Sequence, residues 1–96
     1  MGPVIDITSP INGSKITEPF VVVEGNTKNI SKITLNGRLI SVDQEGHFIE
    51  QLVVPEGYTI ISVEGIDRFG KSKESILELV RISTTTTATT TNNKQI

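Results

Sequence analysis

The sequence contains one histidine, His47, and no cysteine, so few of its residues could act as a base or a nucleophile. A histidine base needs an orienting partner and a nucleophile within hydrogen-bonding distance, and no serine pair on a strained turn lies near His47 in the chain. Without cysteine there is no thiolate to bind a metal. We therefore predict that His47 lies in solvent at the end of a strand and that the chain has no catalytic residue.

Acidic residues are the next candidates. Asp43 and Glu45 share the turn Asp43-Gln44-Glu45-Gly46 and could offer two carboxylates to calcium. Calcium takes six or more oxygen ligands and the turn does not match an EF-hand loop, so we expect Asp43 to accept backbone hydrogen bonds instead. Glycoside hydrolysis needs two carboxylates facing each other in a cleft, which is not predicted around Glu50, Glu56 and Glu64. The sequence indicates neither a metal site nor a cofactor.

Two Asn-x-Ser triplets, Asn12-Gly13-Ser14 and Asn29-Ile30-Ser31, match the acceptor pattern for N-glycosylation. Such short patterns often arise by chance, and the modification needs a eukaryotic-type pathway. We expect both triplets to lie in loops without a glycan.

One exposed aromatic residue is a candidate for binding. Phe69 is predicted at a hairpin tip between Arg68 and Lys71, where its ring has no obvious core to join and could anchor a neighbouring domain or a partner. The alternative is a ring that folds back over the end of the domain. With three Phe, one Tyr and no Trp, an aromatic platform for sugar binding is possible but unsupported.

The composition limits the classes of partner. A chain of 96 residues holds one domain, which would bury only about 60% of the surface of the unfolded chain. The net charge is −2 and no block of one sign occurs, which argues against nucleic acid and anionic membranes as partners. The longest apolar run, Phe20 to Val23, is far below the roughly 20 residues that span a bilayer. No signal segment opens the chain, and residues 1–3 read as a leader.

Alternating apolar and polar residues define the strands, and the stretch from Lys32 to Phe48 is the clearest. Two alternating runs flank Asn36-Gly37, the strongest short hairpin signal, because a type I′ turn needs positive φ at both central residues. A second turn at residues 43–46 precedes Phe48. We predict a three-stranded antiparallel meander here, with Lys15 to Glu18 as an extended link earlier in the chain.

The same alternation predicts which side chains face the core. Gly65 belongs to the inward set, which suggests close packing of another backbone. In the last strand, Leu77 and Leu79 face inward, but Arg81 then also points inward unless the strand bends or bulges. The strand that begins at Phe48 runs through Leu52 and Val54. The other predicted inward residues are Val21, Val23, Ile33, Leu35, Ile40, Val42, Phe48, Ile61 and Val63.

About seven short antiparallel strands over residues 4–83, with turn signals between them and no helical period, are typical of an immunoglobulin-like β-sandwich. Tyr58 then occupies the position of a tyrosine corner, whose hydroxyl bonds back to the backbone. Residues 84–96 are Thr-rich and have no hydrophobic face, so we predict a disordered linker that acts as a tether.

These strand and turn residues resemble the bacterial and archaeal immunoglobulin-like repeats of cell-surface proteins and of secreted glycosidases, including the glucodextranase-type B domain. The resemblance covers nearly all of residues 4–82. It departs from the usual pattern at Thr59 and Lys71, where asparagine is expected. The matched residues are Ile7-Thr8-Ser9-Pro10, Asn12-Gly13, Val21, Val23, Gly25, Ile33-Thr34-Leu35-Asn36-Gly37, Val42-Asp43, Gly46, Phe48, Glu56-Gly57, Ile61, Val63, and Asp67 with Gly70.

The resemblance implies a non-enzymatic module, extracellular or at the cell surface, that serves as a spacer, stalk or protein-interaction domain. Its partners would be neighbouring domains of the same chain or another surface protein. One alternative is an accessory module that binds glycan or orients the catalytic domain of a secreted carbohydrate-active enzyme. A further alternative is a filament subunit that exchanges a strand with its neighbour.

Overall fold

The computed structural model describes residues 2–82, which form eight β-strands and no helix. The predicted linker, residues 84–96, lies outside the described residues. No helix within the described part of the chain is long and apolar enough to cross a membrane. The strands are β1 (Val4–Ser9), β2 (Lys15–Ile16), β3 (Phe20–Lys28), β4 (Lys32–Leu35), β5 (Arg38–Ile40), β6 (His47–Val53), β7 (Gly57–Ile66) and β8 (Ser72–Arg81).

The strands form two sheets, with the orders β1-β3-β6 and β2-β8-β7-β4-β5. The predicted meander is therefore wrong in its third strand. β4 and β5 pair through the Asn36-Gly37 turn, where φ is +51° and +83°, but β6 pairs with β3 in the other sheet. Residues 41–46 provide enough chain to cross between the sheets, and the crossing places Phe48 opposite Gly25.

The segment predicted as an extended link forms the short strand β2, which pairs in parallel with β8. The sandwich is thus not wholly antiparallel. The preceding turn fixes this pairing, because Gly13 N–H donates to Glu78 O and Glu78 N–H donates to Asn12 Oδ1. Two further backbone bonds continue it, from Val80 N–H to Ser14 O and from Ile82 N–H to Ile16 O.

The core lies between the sheets and confirms the predicted inward set. Phe48 is the largest side chain in it and is 1% exposed. Ile40, Val42 and Leu52 are partly buried against the core rather than inside it. The fully buried hydrophobic residues are Ile5, Val21, Val23, Ile33, Leu35, Phe48, Val54, Ile61, Val63, Leu77 and Leu79.

Arg81 and Gly65 face inward, and the structure shows which groups surround each of them. β8 pairs with β7 without a register shift, so Arg81 does face inward, where its guanidinium donates to Val54 O at 2.9 Å. A long polar side chain is tolerated there because it lies at the open end of the sandwich. Gly65 is packed by the side chains of Ile30 and Ile5, not by another backbone, since a Cβ there would lie 2.4 Å from Ile30 Cδ1.

Candidate functional site

The loops at one end of the sandwich gather the candidate binding residues. This N-terminal end consists of the chain start at Gly2–Pro3, the β3–β4 loop (29–31), the β5–β6 loop (41–46) and the β7–β8 tip (67–71). Asn29 joins two of these segments, because its side-chain amide donates to Gly2 O at 3.2 Å. The first described residue therefore lies beside the β3–β4 loop.

Phe69 projects from this end. The residue is 77% exposed, which excludes the alternative in which its ring folds back over the sandwich. The Arg68 guanidinium carbon lies 5.3 Å from the ring centroid, in cation–π contact. Both residues border an open hollow of about 450 Å³, whose other walls are Asn29, Ile30, Ser31 and Asp67.

Asp67 determines the shape of the tip that carries Phe69. Its Oδ1 accepts from the backbone N–H groups of Phe69 and Lys71, both at 2.8 Å. Two backbone bonds close the same turn, from Asp67 N–H to Lys71 O and from Gly70 N–H to Asp67 O. Because these bonds use the Lys71 backbone alone, the lysine that replaces the expected asparagine does not disturb the turn, and the Phe69 ring is held outward on a defined backbone.

The β5–β6 loop forms a turn with the same four hydrogen bonds as the turn at Asp67. Asp43 Oδ1 accepts from Glu45 N–H at 3.0 Å and from His47 N–H at 2.8 Å, which confirms the role predicted for Asp43. Asp43 N–H donates to His47 O, and Gly46 N–H donates to Asp43 O. The bond from His47 N–H is the main cause that lowers the pKa of Asp43, while desolvation opposes it.

We expect Asp43→Asn to weaken the acid sensitivity of folding. The pKa of Asp43 in the folded chain lies below its value in the unfolded chain, about 3.9, so ionisation of Asp43 stabilises the fold above that pH. This stabilisation is lost as the pH falls through the lower, folded-state pKa. Asparagine keeps an oxygen for both backbone donors but carries no charge, so the variant should lose less stability than the parent between about pH 4 and pH 2.

Urea unfolding at a series of pH values measures this difference. Glu45→Gln is the matched control, because it removes one charge from the same turn without touching the carboxylate that accepts the backbone bonds. If parent and Asp43→Asn lose stability in parallel, the Asp43 carboxylate contributes no acid sensitivity.

His47 is not simply solvated, contrary to the prediction. Its ring is half-buried, with Nε2 at 2.8 Å from Glu24 Oε2 and Nδ1 at 3.9 Å from Asp43 Oδ2. The pairing with Glu24 bridges the neighbouring strands β3 and β6. Both contacts are carboxylates, and no hydroxyl of the described residues is hydrogen-bonded to the ring. The geometry links two strands and does not position a nucleophile.

The other carboxylates are dispersed. Glu50 faces Arg38 across the open side of the sandwich at 3.8 Å, Glu64 lies opposite Glu74 in the β7–β8 pair, and Glu56 is in the turn before β7. Among residues 2–82, no three side chains of His, Asp or Glu are grouped to hold a metal ion.

The tyrosine-corner prediction is wrong. Tyr58 is 61% exposed, and its hydroxyl faces the Glu78 carboxylate on β8 rather than a backbone group. Desolvation, with a smaller contribution from Glu78, raises the pKa of the Tyr58 hydroxyl.

The asparagines of both glycosylation triplets have structural roles. The Asn12 side chain accepts from Glu78 N–H at 2.7 Å, and Asn29 takes a positive φ of +58° in the β3–β4 loop while its amide bonds to Gly2.

Comparison with protein families matches residues 3–85 to the family described as "Glucodextranase, domain B". The chain belongs to this family. Among solved structures, this chain is similar to one titled "Structures of Clostridium thermocellum CbhA fibronectin(III)-like modules". The TM-score is 0.59 at 20% identity, over 83% of this chain and 99% of the other. Comparison with curated proteins gives no match.

The two comparisons confirm the predicted fold and the predicted resemblance. The chain therefore has an immunoglobulin-like fold, and the N-terminal end around Phe69 is its best candidate for a contact surface.

Proposed function

We propose that this chain is a non-catalytic, extracellular spacer domain of a larger secreted or cell-surface protein. It would hold the domains on either side of it apart. The observation that carries the proposal is the position of its ends. The described residues begin at Gly2, beside Asn29 at one end of the sandwich, and end after β8 at Ile82, beside Ile16 at the other end. Domains attached to the two termini would be separated by the whole length of the sandwich.

The connections suit this role. β7 and β8 pair over ten residues each, which gives the sandwich a length of about 33 Å between its ends. Residues 84–96 are proposed to form the tether that follows, and a segment of this length reaches up to about 40 Å when extended. The family and the similar modules support a location outside the cell, since both belong to the class of accessory domains that the sequence resembles.

Two distances test the proposal. The chain contains no cysteine, so dyes can be attached at Gly2→Cys and Ile82→Cys, or at Gly2→Cys and Ile96→Cys. We expect the first pair to report one narrow distance near the sandwich length, and the second pair to report a broad distribution, because the tether has no hydrophobic face to pack. Single-molecule energy transfer measures both distributions. A narrow distance to position 96, shorter than that to position 82, would show a folded-back segment and contradict the spacer.

A second candidate is an accessory role beside a catalytic domain, which the family description favours, since it names a domain of an enzyme. The module would then orient the catalytic domain or bind its glycan. The parent gene distinguishes the two candidates. A hydrolase domain encoded in the same reading frame supports the accessory role, whereas further repeats of this module support the spacer.

A further inference from the structure

We propose that the outer side of the β7–β8 pair binds an extended, basic segment of a partner protein, in which two cationic residues flank an apolar one. This surface, the β7–β8 face, lies along the side of the sandwich and includes neither end. The inference therefore goes beyond the spacer function and does not depend on it. The face consists of Tyr58, Ile60, Ser62 and Glu64 of β7 and Glu74, Ile76, Glu78 and Val80 of β8.

The apolar part of this face is continuous. Tyr58 lies directly opposite Val80, and Ile60, two residues further along β7, neighbours Val80 and Ile76 diagonally across the pair. Side chains at opposite and diagonal positions of neighbouring strands are within reach of one another. The residues are between 37% and 61% exposed, so the four side chains form one exposed apolar patch.

Three carboxylates of the same face have no cationic partner. Glu78 lies opposite Ile60, and Glu64 lies directly opposite Glu74, where two like charges destabilise a strand pair. The Ser62 hydroxyl donates to Glu74, which satisfies one oxygen but leaves the charge uncompensated. Within residues 2–82, no lysine or arginine forms an ion pair with any of the three carboxylates.

The lysines on this side of the sheet lie at its two ends. Lys15 is beside Val80 on β2, and Lys32 is beside Ile66 on β4. The middle of the face is therefore acidic, and a cationic partner would complement it.

A second copy of the chain would not suit this face, because two such faces in contact would bring their carboxylates together. The outer face of the other sheet also has exposed apolar side chains, but its carboxylate at Glu24 is already paired with His47 at 2.8 Å. The charge of the β7–β8 face thus favours a partner of a different, basic sequence.

The spacing along β8 defines the pattern of that partner. Glu74 and Glu78 are four positions apart with Ile76 midway, which separates the two carboxylates by about 13 Å in a strand. An extended segment has the same rise, so residues four positions apart on one of its faces match both carboxylates, and the residue midway lies over Ile76. Arginine suits the outer positions because its guanidinium binds a carboxylate through two parallel N–H bonds. The complementary segment has two arginines four positions apart and an aliphatic residue midway.

Two short peptides of the same composition test this pattern. The spaced peptide has two arginines four positions apart, a valine midway between them and serine elsewhere, whereas the control peptide has its two arginines adjacent. NMR titration of the isotope-labelled protein measures the affinity for each. We expect the spaced peptide to bind several-fold more tightly and to move the amide signals of β7 and β8.

Substitutions on the protein locate the contact. Glu78→Gln should weaken binding of the spaced peptide several-fold, whereas Glu45→Gln, which removes the same charge from the β5–β6 loop, should leave it unchanged. Ile76→Ser should also weaken binding, and Ile49→Ser, which removes a similarly exposed isoleucine from the other sheet, should not. Equal affinities for the two peptides, or equal effects of each variant and its control, would overturn the proposal. Neither result affects the spacer, which depends on the distances within one copy.

Discussion

Replacing Phe48 by alanine is expected to lower the free energy of unfolding by about 3 to 5 kcal/mol, the usual range for a buried phenylalanine. Phe48 is the largest fully buried side chain, and its ring covers Gly25 on β3, where an added Cβ would lie 2.7 Å from Phe48 Cζ. No neighbouring side chain can fill this space, since the residue opposite has none. Small domains have only about 5 to 15 kcal/mol of stability, so most of it would be lost.

Urea unfolding followed by circular dichroism measures this loss, and Phe69→Ala is the matched control. Both variants remove the same atoms, but Phe69 is exposed and should change the free energy of unfolding by less than about 0.5 kcal/mol. A cooperative Phe48→Ala protein with nearly parental stability would mean that the ring at position 48 is not central to the core.

Gly46→Ala is expected to cost about 2 to 5 kcal/mol, from backbone strain and overpacking together. Gly46 has a φ of +88°, and a Cβ there would lie 2.2 Å from Thr27 O. Thr27 is buried and bonds to Gly46 O through both its backbone N–H and its hydroxyl, so the loop cannot move away without breaking both bonds.

The Asp67 turn, which has the same hydrogen bonds as the Asp43 turn, provides the control for this substitution. Gly70 occupies the same position after Asp67, with a φ of +87°, but no atom lies within 4 Å of an added Cβ. Gly70→Ala should therefore cost only the strain of the positive φ, about 1 to 2 kcal/mol. Thermal or urea unfolding of both variants separates the two contributions. If Gly46→Ala and Gly70→Ala cost the same, the contact with Thr27 is relieved by movement of the loop.

The sequence predicted the faces of the strands well, because side-chain parity is a local property. Residues such as Val23, Leu35 and Leu79 alternate with polar neighbours, and burial of one face leaves a single acceptable parity. The Asn36-Gly37 turn was equally local, since only residues that tolerate positive φ can form it.

The pairing of the strands was harder to predict from the sequence, because alternation shows which face of a strand is buried but not which strand lies beside it. The residues of β6 do not show whether this strand pairs with β5 or with β3. It pairs with β3 because Gly25, 23 positions before Phe48, leaves room for the Phe48 ring. The parallel pairing of β2 was missed for the same reason, since it depends on contacts of Asn12 and Ser14 with distant β8.

The sequence predicted the exposed residues of the candidate site but not the residues that pack or bond against them. Phe69 stood out because an aromatic ring in a polar turn has no local partner. The hollow beside it depends on Ile30, nearly forty positions away, and His47 finds its partner Glu24 only through the pairing of β3 with β6. The repeated Asp-x-x-Gly spacing at Asp43 and Asp67 was the one local signal that could have indicated two equivalent turns.

The parallel pairing of β2 with β8 determines how the module would carry mechanical load. Tension applied through its two termini pulls the segment before β2 towards one end and the last residues of β8 towards the other. The bonds of Glu78, Val80 and Ile82 to this segment are then sheared together along the strand direction, instead of opening one after another. Resistance to forced unfolding follows the unfolding barrier rather than the equilibrium stability. A clamp of these four bonds would let a marginally stable domain withstand pulling at its ends.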